Sequence, residues 1–323
     1  LFDGSHVVDA KTDELKRGAR EELARLDETG GAVDNVGYMK TSLVGAHVER
    51  ILAIESGAQT VVGVNRYEET AESPLSAGEK MIETVDPMVE AGQVKALKEW
   101  RQARDNEAAT AAIEALKAAA RSGENIMEPS IAAAKAGVTT GEWGTALRDV
   151  FGEYRGPTGV ALTIETRGDE QIEKTRARVE KVSESLGRQL TYVLGKPGLD
   201  GHSNGAEQIA SRARACGMNA VYEGIRFTPA EIAAQAKEAG AHVVGLSILS
   251  GSHLDLVRET IGELRKAGLE NVPLIVGGII PPEDARALKQ MGVRRVYTPK
   301  DFRITEIMDD VVDTVEDAWL EKV

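Results

Sequence analysis

One cysteine, Cys216, is present in 323 residues. No disulfide can close within the chain, which fits a reducing compartment such as the cytosol. Cys216 shares a helical pattern with Ala210 and Ala213, where a thiol behaves as a small, inert apolar group. Basic charge is in deficit. Lys and Arg total 39 against 52 for Asp and Glu, so the formal charge is 39 − 52 = −13. Nucleic acid and anionic membrane surfaces would both repel such a chain. Apolar runs long enough to cross a bilayer are missing, and the opening residues do not read as a signal peptide. Internal repeats are missing too. What is present is a normal supply of core, 42% apolar residues, in a length sufficient for two domains.

The two halves differ in texture. Val8 to about Glu28 and Val36 to Ile54 carry apolar residues at helical spacing. Gln59 to Tyr67 (QTVVGVNRY) is an apolar, β-branched run that predicts a strand. The stretch around Pro74 predicts a loop, and Val85 to Arg121 a helix rich in Ala, Glu and Lys. Asn125 to Gly152 predicts two short helices, the second capped by Thr139 or Thr140 with Glu142 behind. Gly152 to Glu170, broken by glycines and Pro157, is the linker candidate. A helix resumes from Glu170 to Leu186.

From Gln189 onward strands and helices alternate. The predicted strands are Gln189–Gly195, Asn219–Ile225, His242–Leu249, Val272–Gly277 and Arg294–Thr298. Between them lie helices Gly205–Cys216, Pro229–Ala239, Leu254–Ala267 and Pro282–Met291, with a last helix over Ile304–Trp319. Thr228, Pro229 and Glu231 make a strong helix start: a capping hydroxyl, a proline at the first position and a carboxylate at the third. Strands two to five are short and almost wholly apolar, as expected when helices cover both sheet faces. The fold class is therefore α/β: a flavodoxin-like, doubly wound, five-stranded parallel sheet preceded by a mostly helical region. The domain boundaries read as a helical segment over 1–152, a linker and helix over 153–188, and the sheet domain over 189–323. Ligands of such sheets bind beyond the C-terminal strand ends, in loops that here begin at Lys196, Arg226, Ser250, Gly278 and Pro299.

The first of these loops holds the chemistry. It reads Lys196-Pro197-Gly198-Leu199-Asp200-Gly201-His202-Ser203-Asn204-Gly205. A histidine at the sheet edge can aim its ring at a ligand. An acidic residue two positions earlier can accept a hydrogen bond from the other ring nitrogen, which fixes the tautomer and raises ligand basicity. Lys196 could tune the charge on Asp200, while Gly198, Gly201 and Gly205 would let the backbone turn and approach a bulky ligand. Plainer readings compete. Asp-x-His can be a loop hydrogen bond. A phosphate loop would need Gly-Lys-Ser/Thr, which is absent. A zinc site would need further Cys or His ligands, and of the other strand-end loops only His253 offers one. Ser247-Ile248-Leu249 and Gly277-Gly278 end the third and fourth strands. A hydroxyl and two bare backbones side by side would line a slot for a flat base.

Taken together, Asp200-Gly201-His202-Ser203-Asn204-Gly205, Ser247-Ile248-Leu249 and Gly277-Gly278 resemble the cobalamin-binding domain of the adenosylcobalamin-dependent acyl-CoA mutases. The resemblance implies that the dimethylbenzimidazole tail leaves cobalt and is buried in the slot. His202 would then be the axial cobalt ligand, Asp200 its hydrogen-bond partner and Lys196 the third member of the relay. Gly201 and Gly205 belong to the same loop. Ser247, Leu249, Gly277 and Gly278 would line the tail pocket, with Thr298 a weaker candidate at the fifth strand end.

The first half takes part in the resemblance through VVGVNRY (Val61 to Tyr67) and AGVTTGEWGTALRDVFGEYRGPTGV (Ala136 to Val160), which are similar to the segment joining barrel and cobalamin domain. GKPGLDGHSNGAEQIA, YEGIRFTPAEI and GLSILSGSH are most similar to the ethylmalonyl-CoA branch of the family; the methylmalonyl-CoA branch usually differs around the histidine loop. The family's substrate-binding barrel precedes the segment seen here, and the opening at Leu1 reads as the middle of a longer chain. No catalytic residue is therefore assignable. The parent enzyme would be a cytoplasmic isomerase, a homodimer whose barrel holds an acyl-CoA and which converts ethylmalonyl-CoA to methylsuccinyl-CoA by a radical rearrangement. This portion alone would bind cofactor without turnover. The alternatives are methylmalonyl-CoA mutase or its separate cobalamin subunit, and a non-catalytic corrinoid carrier or sensor. Such carriers often place a compact helical bundle before the domain; the predicted strand and GVTTGEW speak against one here.

Other residues carry less. His253 could face the ligand or simply start a helix at the surface. His242 reads as structural, and His6 and His47 support no reading. Trp100, Trp143 and Trp319 lie in helical patterns and read as packing residues.

Overall fold

The computed structural model describes residues 3–69, 86–158 and 170–320. Two compact units emerge, residues 1–69 with 156–323 and residues 70–155. Helices α1 (His6–Glu28) and α2 (Val36–Glu55) open the first unit. Asn35 ties their junction by donating to the carbonyls of Thr29 and Gly31 at 3.1 and 2.8 Å. Gln59 to Tyr67 is not a strand. Gly63, at φ 78°, folds it into a tight turn closed by an isolated bridge between Val62 and Arg66. The Asn65 side chain replaces strand partners: it accepts from Val61 N–H and donates to the carbonyls of Ile54 and Gln59, each at 2.8 Å. Apolar β-branched composition could not show that this glycine and this asparagine satisfy the backbone locally.

The second unit holds α3 (Pro87–Ala103), α4 (Asn106–Ser122), α5 (Met127–Lys135) and α6 (Thr140–Phe151). The single helix expected up to Arg121 is broken at Arg104–Asp105, and its expected first residue, Val85, lies outside the described residues. The reason is Asp105, whose carboxylate caps α4 by accepting from Glu107 and Ala108 N–H, both at 3.0 Å. Of the two candidate caps for α6, Thr139 is the one used, in a reciprocal box with Glu142. Arg104 forks onto the same Glu142 at 2.6 and 2.7 Å. That pairing holds the Glu142 carboxyl well below the usual carboxylate range. Part of the expected linker, 159–169, lies outside the described residues.

The first unit resumes with α7 (Glu170–Leu186). Strands and helices then alternate: β1 (Thr191–Gly195), α8 (Asn204–Ala215), β2 (Asn219–Val221), α9 (Pro229–Ala239), β3 (Val243–Ile248), α10 (His253–Lys266), β4 (Leu274–Gly278), α11 (Pro282–Gln290), β5 (Arg295–Tyr297) and α12 (Ile304–Trp319). The five strands pair in parallel in the order β2-β1-β3-β4-β5, the flavodoxin-like arrangement expected. One sheet face packs on α7, α8 and α12 through Val179, Ala210, Met308 and Val311. The other packs on α9, α10 and α11 through Ile232, Val257 and Leu288. Strand β1 is buried along its whole length, as a central strand covered by helices on both faces must be. Gly195 lets α9 approach: a Cβ there would lie 2.7 Å from Ile232 Cδ1. Ile232 is completely buried, a burial that contributes about 1.5–3 kcal/mol. Thr228 caps α9 with Glu231 in a second reciprocal box. Cys216 is buried, as its pattern implied.

His242 is structural, as expected. Its Nδ1 accepts from Thr191 N–H at 2.9 Å, its carbonyl accepts from Trp319 Nε1 at 2.9 Å, and the two rings meet edge to face. Burial, aided by Arg188, pushes its pKa down to about 4. The folded chain therefore holds His242 neutral where an unfolded one, with pKa near 6.5, takes up a proton. Stability from this group is complete above pH 6.5 and lost as pH falls toward 4, a span of up to about 3 kcal/mol. His242→Asn keeps an acceptor and removes the titration. Chemical denaturation of both proteins between pH 7 and 4.5 should show the steeper loss in the wild type; parallel curves would refute the assignment.

Candidate functional site

Gly195 ends β1 and Lys196 follows with its side chain fully buried. A buried ammonium needs acceptors. Lys196 Nζ finds Asp200 Oδ2 at 2.7 Å and the Ser247 carbonyl at 3.2 Å. Asp200, with only 4% of its side chain exposed, also accepts from Leu249 N–H at 3.1 Å. Its other oxygen accepts from His202 N–H at 3.0 Å and lies 2.7 Å from His202 Nδ1. Burial alone would raise the Asp200 carboxyl pKa. Lys196, His202 and the Leu249 N–H outweigh it and hold the carboxyl well below the usual range.

An ionised carboxylate only accepts hydrogen bonds, so Nδ1 carries a proton, which leaves Nε2 as the ring atom that can serve a ligand. The His202 side chain is 77% exposed. The result is an imidazole fixed in tautomer on a buried pair, with its free nitrogen turned to solvent. A bridge between Pro197 and Phe227 ties the loop to the connection after β2: Phe227 N–H donates to the Lys196 carbonyl at 3.2 Å, and Gly198 N–H to the Phe227 carbonyl at 3.1 Å. Of the three glycines expected to turn this loop, only Gly198 adopts a positive φ, 80°. Gly201 and Gly205 serve by leaving space.

The slot is set by register. Ser247 pairs with Gly277 and Gly277 with Tyr297, so the three share one face at the strand ends. That face is the one against α8, because a Cβ on Gly205 would come 4.0 Å from Ser247 Oγ. A Cβ on Gly277 would come 3.9 Å from Tyr297 Cβ. Gly205 on α8 and Gly277 on β4 thus leave open space beside Ser247 and Tyr297. Gly278 has a different cause: a Cβ would lie 1.8 Å from the Ile248 carbonyl oxygen, so sheet packing alone requires the glycine. Thr298 bonds Asp301 in its own loop, at 2.7 Å from its N–H and 3.2 Å from its hydroxyl. Sequence reasoning passed over Tyr297, whose hydroxyl donates to Asp310 on α12 at 2.8 Å. Only the pairing of Gly277 with Tyr297 in the sheet brings it there.

His253 is neither at the surface nor turned to a ligand. It is buried, with Nε2 2.8 Å from Asp284 and Nδ1 3.3 Å from the Ser250 carbonyl. Among the described residues no three His, Cys, Asp or Glu side chains gather to hold a metal ion. The zinc alternative therefore finds no support among the described residues. A single imidazole is, however, enough for a metal that arrives with its equatorial positions filled by a macrocycle. The donor set and the bare slot beside it fit cobalamin.

Comparison with known proteins agrees. Residues 190–317 match the B12 binding domain, and residues 1–153 match methylmalonyl-CoA mutase. Over these two successive segments the chain is similar to the cobalamin-dependent acyl-CoA mutases. Within them it is similar to ethylmalonyl-CoA mutase: 56% identical over 316 residues to that of Cereibacter sphaeroides, covering 98% of this chain and 48% of the relative. The Methylorubrum extorquens ethylmalonyl-CoA mutase is 55% identical over 320 residues, again 98% of this chain but 46% of the relative. Methylmalonyl-CoA mutase of Escherichia coli is 32% identical over 321 residues, 97% of this chain and 44% of that protein. The chain thus spans about half the length of these relatives. No described helix is long and apolar enough to cross a membrane.

Lys196 and His202 should separate cleanly in stability. Lys196→Met strands a buried carboxylate and should cost about 3–5 kcal/mol. His202→Ala removes an exposed ring and should change stability by less than about 0.5 kcal/mol. Thermal and urea unfolding of the two variants check this, and equal losses would contradict the buried-pair account.

Proposed function

We propose that this chain is the cobalamin-binding portion of a radical isomerase that converts ethylmalonyl-CoA to methylsuccinyl-CoA, with His202 as the lower axial ligand of adenosylcobalamin. The observation that carries the reading is the His202 ring, held at Nδ1 by a buried carboxylate 2.7 Å away with Nε2 free. Asp200 and Lys196 position that ring. Ser247, Leu249 and Gly277 would line the slot for the nucleotide tail, with Gly205 beside Ser247 on α8; Gly278 would let the end of β4 pass close to it, and Gly201 leaves room beside the histidine. Thr298, engaged with Asp301, is the weakest member of the set. When bound, adenosylcobalamin supplies a cobalt–carbon bond whose homolysis initiates hydrogen abstraction from the acyl-CoA. This chain's own residues would bind the cofactor, with Asp200 and Lys196 orienting the His202 ring so that Nε2 is the atom offered to the metal.

The difference between 56% identity to ethylmalonyl-CoA mutase and 32% to methylmalonyl-CoA mutase supports the ethylmalonyl substrate. The absence of the expected strand at Gln59–Tyr67 removes one feature that set the chain apart from corrinoid carriers. The mutase match over residues 1–153 now bears that distinction. In the proposed enzyme the segment 1–152 joins an acyl-CoA-binding part to the cofactor domain through the linker and helix of 153–188. The whole enzyme is a cytoplasmic homodimer, and this chain by itself binds cofactor without turnover.

Titration of the chain with adenosylcobalamin, followed by visible absorption, should show displacement of the benzimidazole by a protein imidazole. His202→Ala should abolish the displacement. The enzyme containing this sequence should isomerise ethylmalonyl-CoA at least about tenfold more efficiently than methylmalonyl-CoA, a discrimination of the size one methylene supports. The reverse preference would overturn the substrate assignment.

A further inference from the structure

The B12-binding match begins at residue 190, yet one of the groups holding the histidine loop comes from far upstream. Lys40, on α2, reaches α8. Its Nζ lies 2.6 Å from Glu207 Oε1 and 3.2 Å from Ser203 Oγ. Ser203 is the residue after His202 and the N-cap of α8, but its hydroxyl makes no capping bond to the helix. Serine at this position ordinarily accepts from the first-turn amides; here the hydroxyl accepts from Lys40 instead. Glu207, in the first turn of α8, has 3% of its side chain exposed. Its charge requires a partner, and Lys40, itself 27% exposed, supplies it. At the other end of α8, Arg212 bonds Glu55 of α2 at 3.0 Å, and Glu55 also accepts from Ile304 N–H at 2.6 Å. Two ion pairs of opposite polarity therefore fasten α2 along α8, one of them directly beside the axial imidazole.

We propose that Lys40 is a positioning residue for His202, acting through Ser203 and Glu207. The inference rests on the reading of His202 as the cobalt ligand. Asp200 fixes the ring from the N-terminal side of the loop; Lys40 fixes the chain on its C-terminal side, where it enters α8. A loop clamped on both sides delivers its nitrogen at a set height above the sheet edge, and a loop clamped on one side does not. The helical segment before the sheet domain thereby takes part in cofactor ligation without touching the cofactor.

The test uses the whole chain, adenosylcobalamin and visible absorption, which reports imidazole ligation independently of turnover. Lys40→Met should weaken cobalamin binding by about tenfold, the usual scale for a partner one shell away from a metal, and should lower the imidazole-ligated fraction at saturation. Lys40→Arg should recover both. Lys40→Met leaves Glu207 uncompensated, so Lys40→Met/Glu207→Gln is compared with it. In the double variant thermal stability should return while ligation stays impaired. If ligation returns with stability, Lys40 is only a counter-charge and the proposal is overturned. Wild-type ligation in a folded Lys40→Met protein overturns it equally. Wild type and His202→Ala that cannot be told apart would instead sink the His202 reading, and this inference with it.

Discussion

An ammonium with no access to water must be surrounded by acceptors, and Lys196 meets that demand by drawing two strand ends together. Its contacts with Asp200 and the Ser247 carbonyl join the loop after β1 to the end of β3. Asp200 completes the junction by accepting from Leu249 N–H. Breaking such a pair leaves an uncompensated buried charge, so the loop has one low-energy arrangement. His202 is an exposed residue on this buried foundation. That combination keeps the ring accessible without leaving it free to wander.

The slot beside the histidine follows from the same sheet. Parallel pairing puts Ser247, Gly277 and Tyr297 in one row, and the crossover through α8 brings Gly205 over them. An added Cβ on Gly205 or Gly277 would meet nothing closer than 4.0 and 3.9 Å, so packing demands neither glycine. Gly195 and Gly278 show the contrast. Their bare backbones are demanded by Ile232 and by the Ile248 carbonyl, and would be needed with no ligand at all. Glycines around one sheet thus divide into those required by packing and those that leave room.

The segment ahead of the sheet domain is less self-sufficient. Helix α1 buries only Leu26, while Val7, Leu15 and Leu23 are exposed. Helix α2 turns Val44 and Val48 inward, with Val44 joining the core beneath α8. The unit of residues 70–155 rests instead on a small, alanine-rich interior around Leu116 and on the Arg104–Glu142 fork.

Much was legible in sequence because it is local. Helix starts at Thr139 and Thr228, the apolar strands two to five and the Asp-x-His spacing all act within a few residues, so the chain order carries them. The order β2-β1-β3-β4-β5 also followed, since alternating strands and helices leave few ways to wind a sheet. Errors arose where a local side chain overrode composition: Asn65 and Gly63 made a turn of an expected strand, and Asp105 split an expected helix. What only the tertiary structure decided is the set of long-range pairings. Lys40 reaches a helix more than 160 positions away, His253 turns inward to Asp284, and Tyr297 joins the slot through strand register. Sequence by itself determined which residues have the chemistry to bind; three-dimensional packing determined which of them face the same space, because burial and register depend on neighbours that the order of residues does not name.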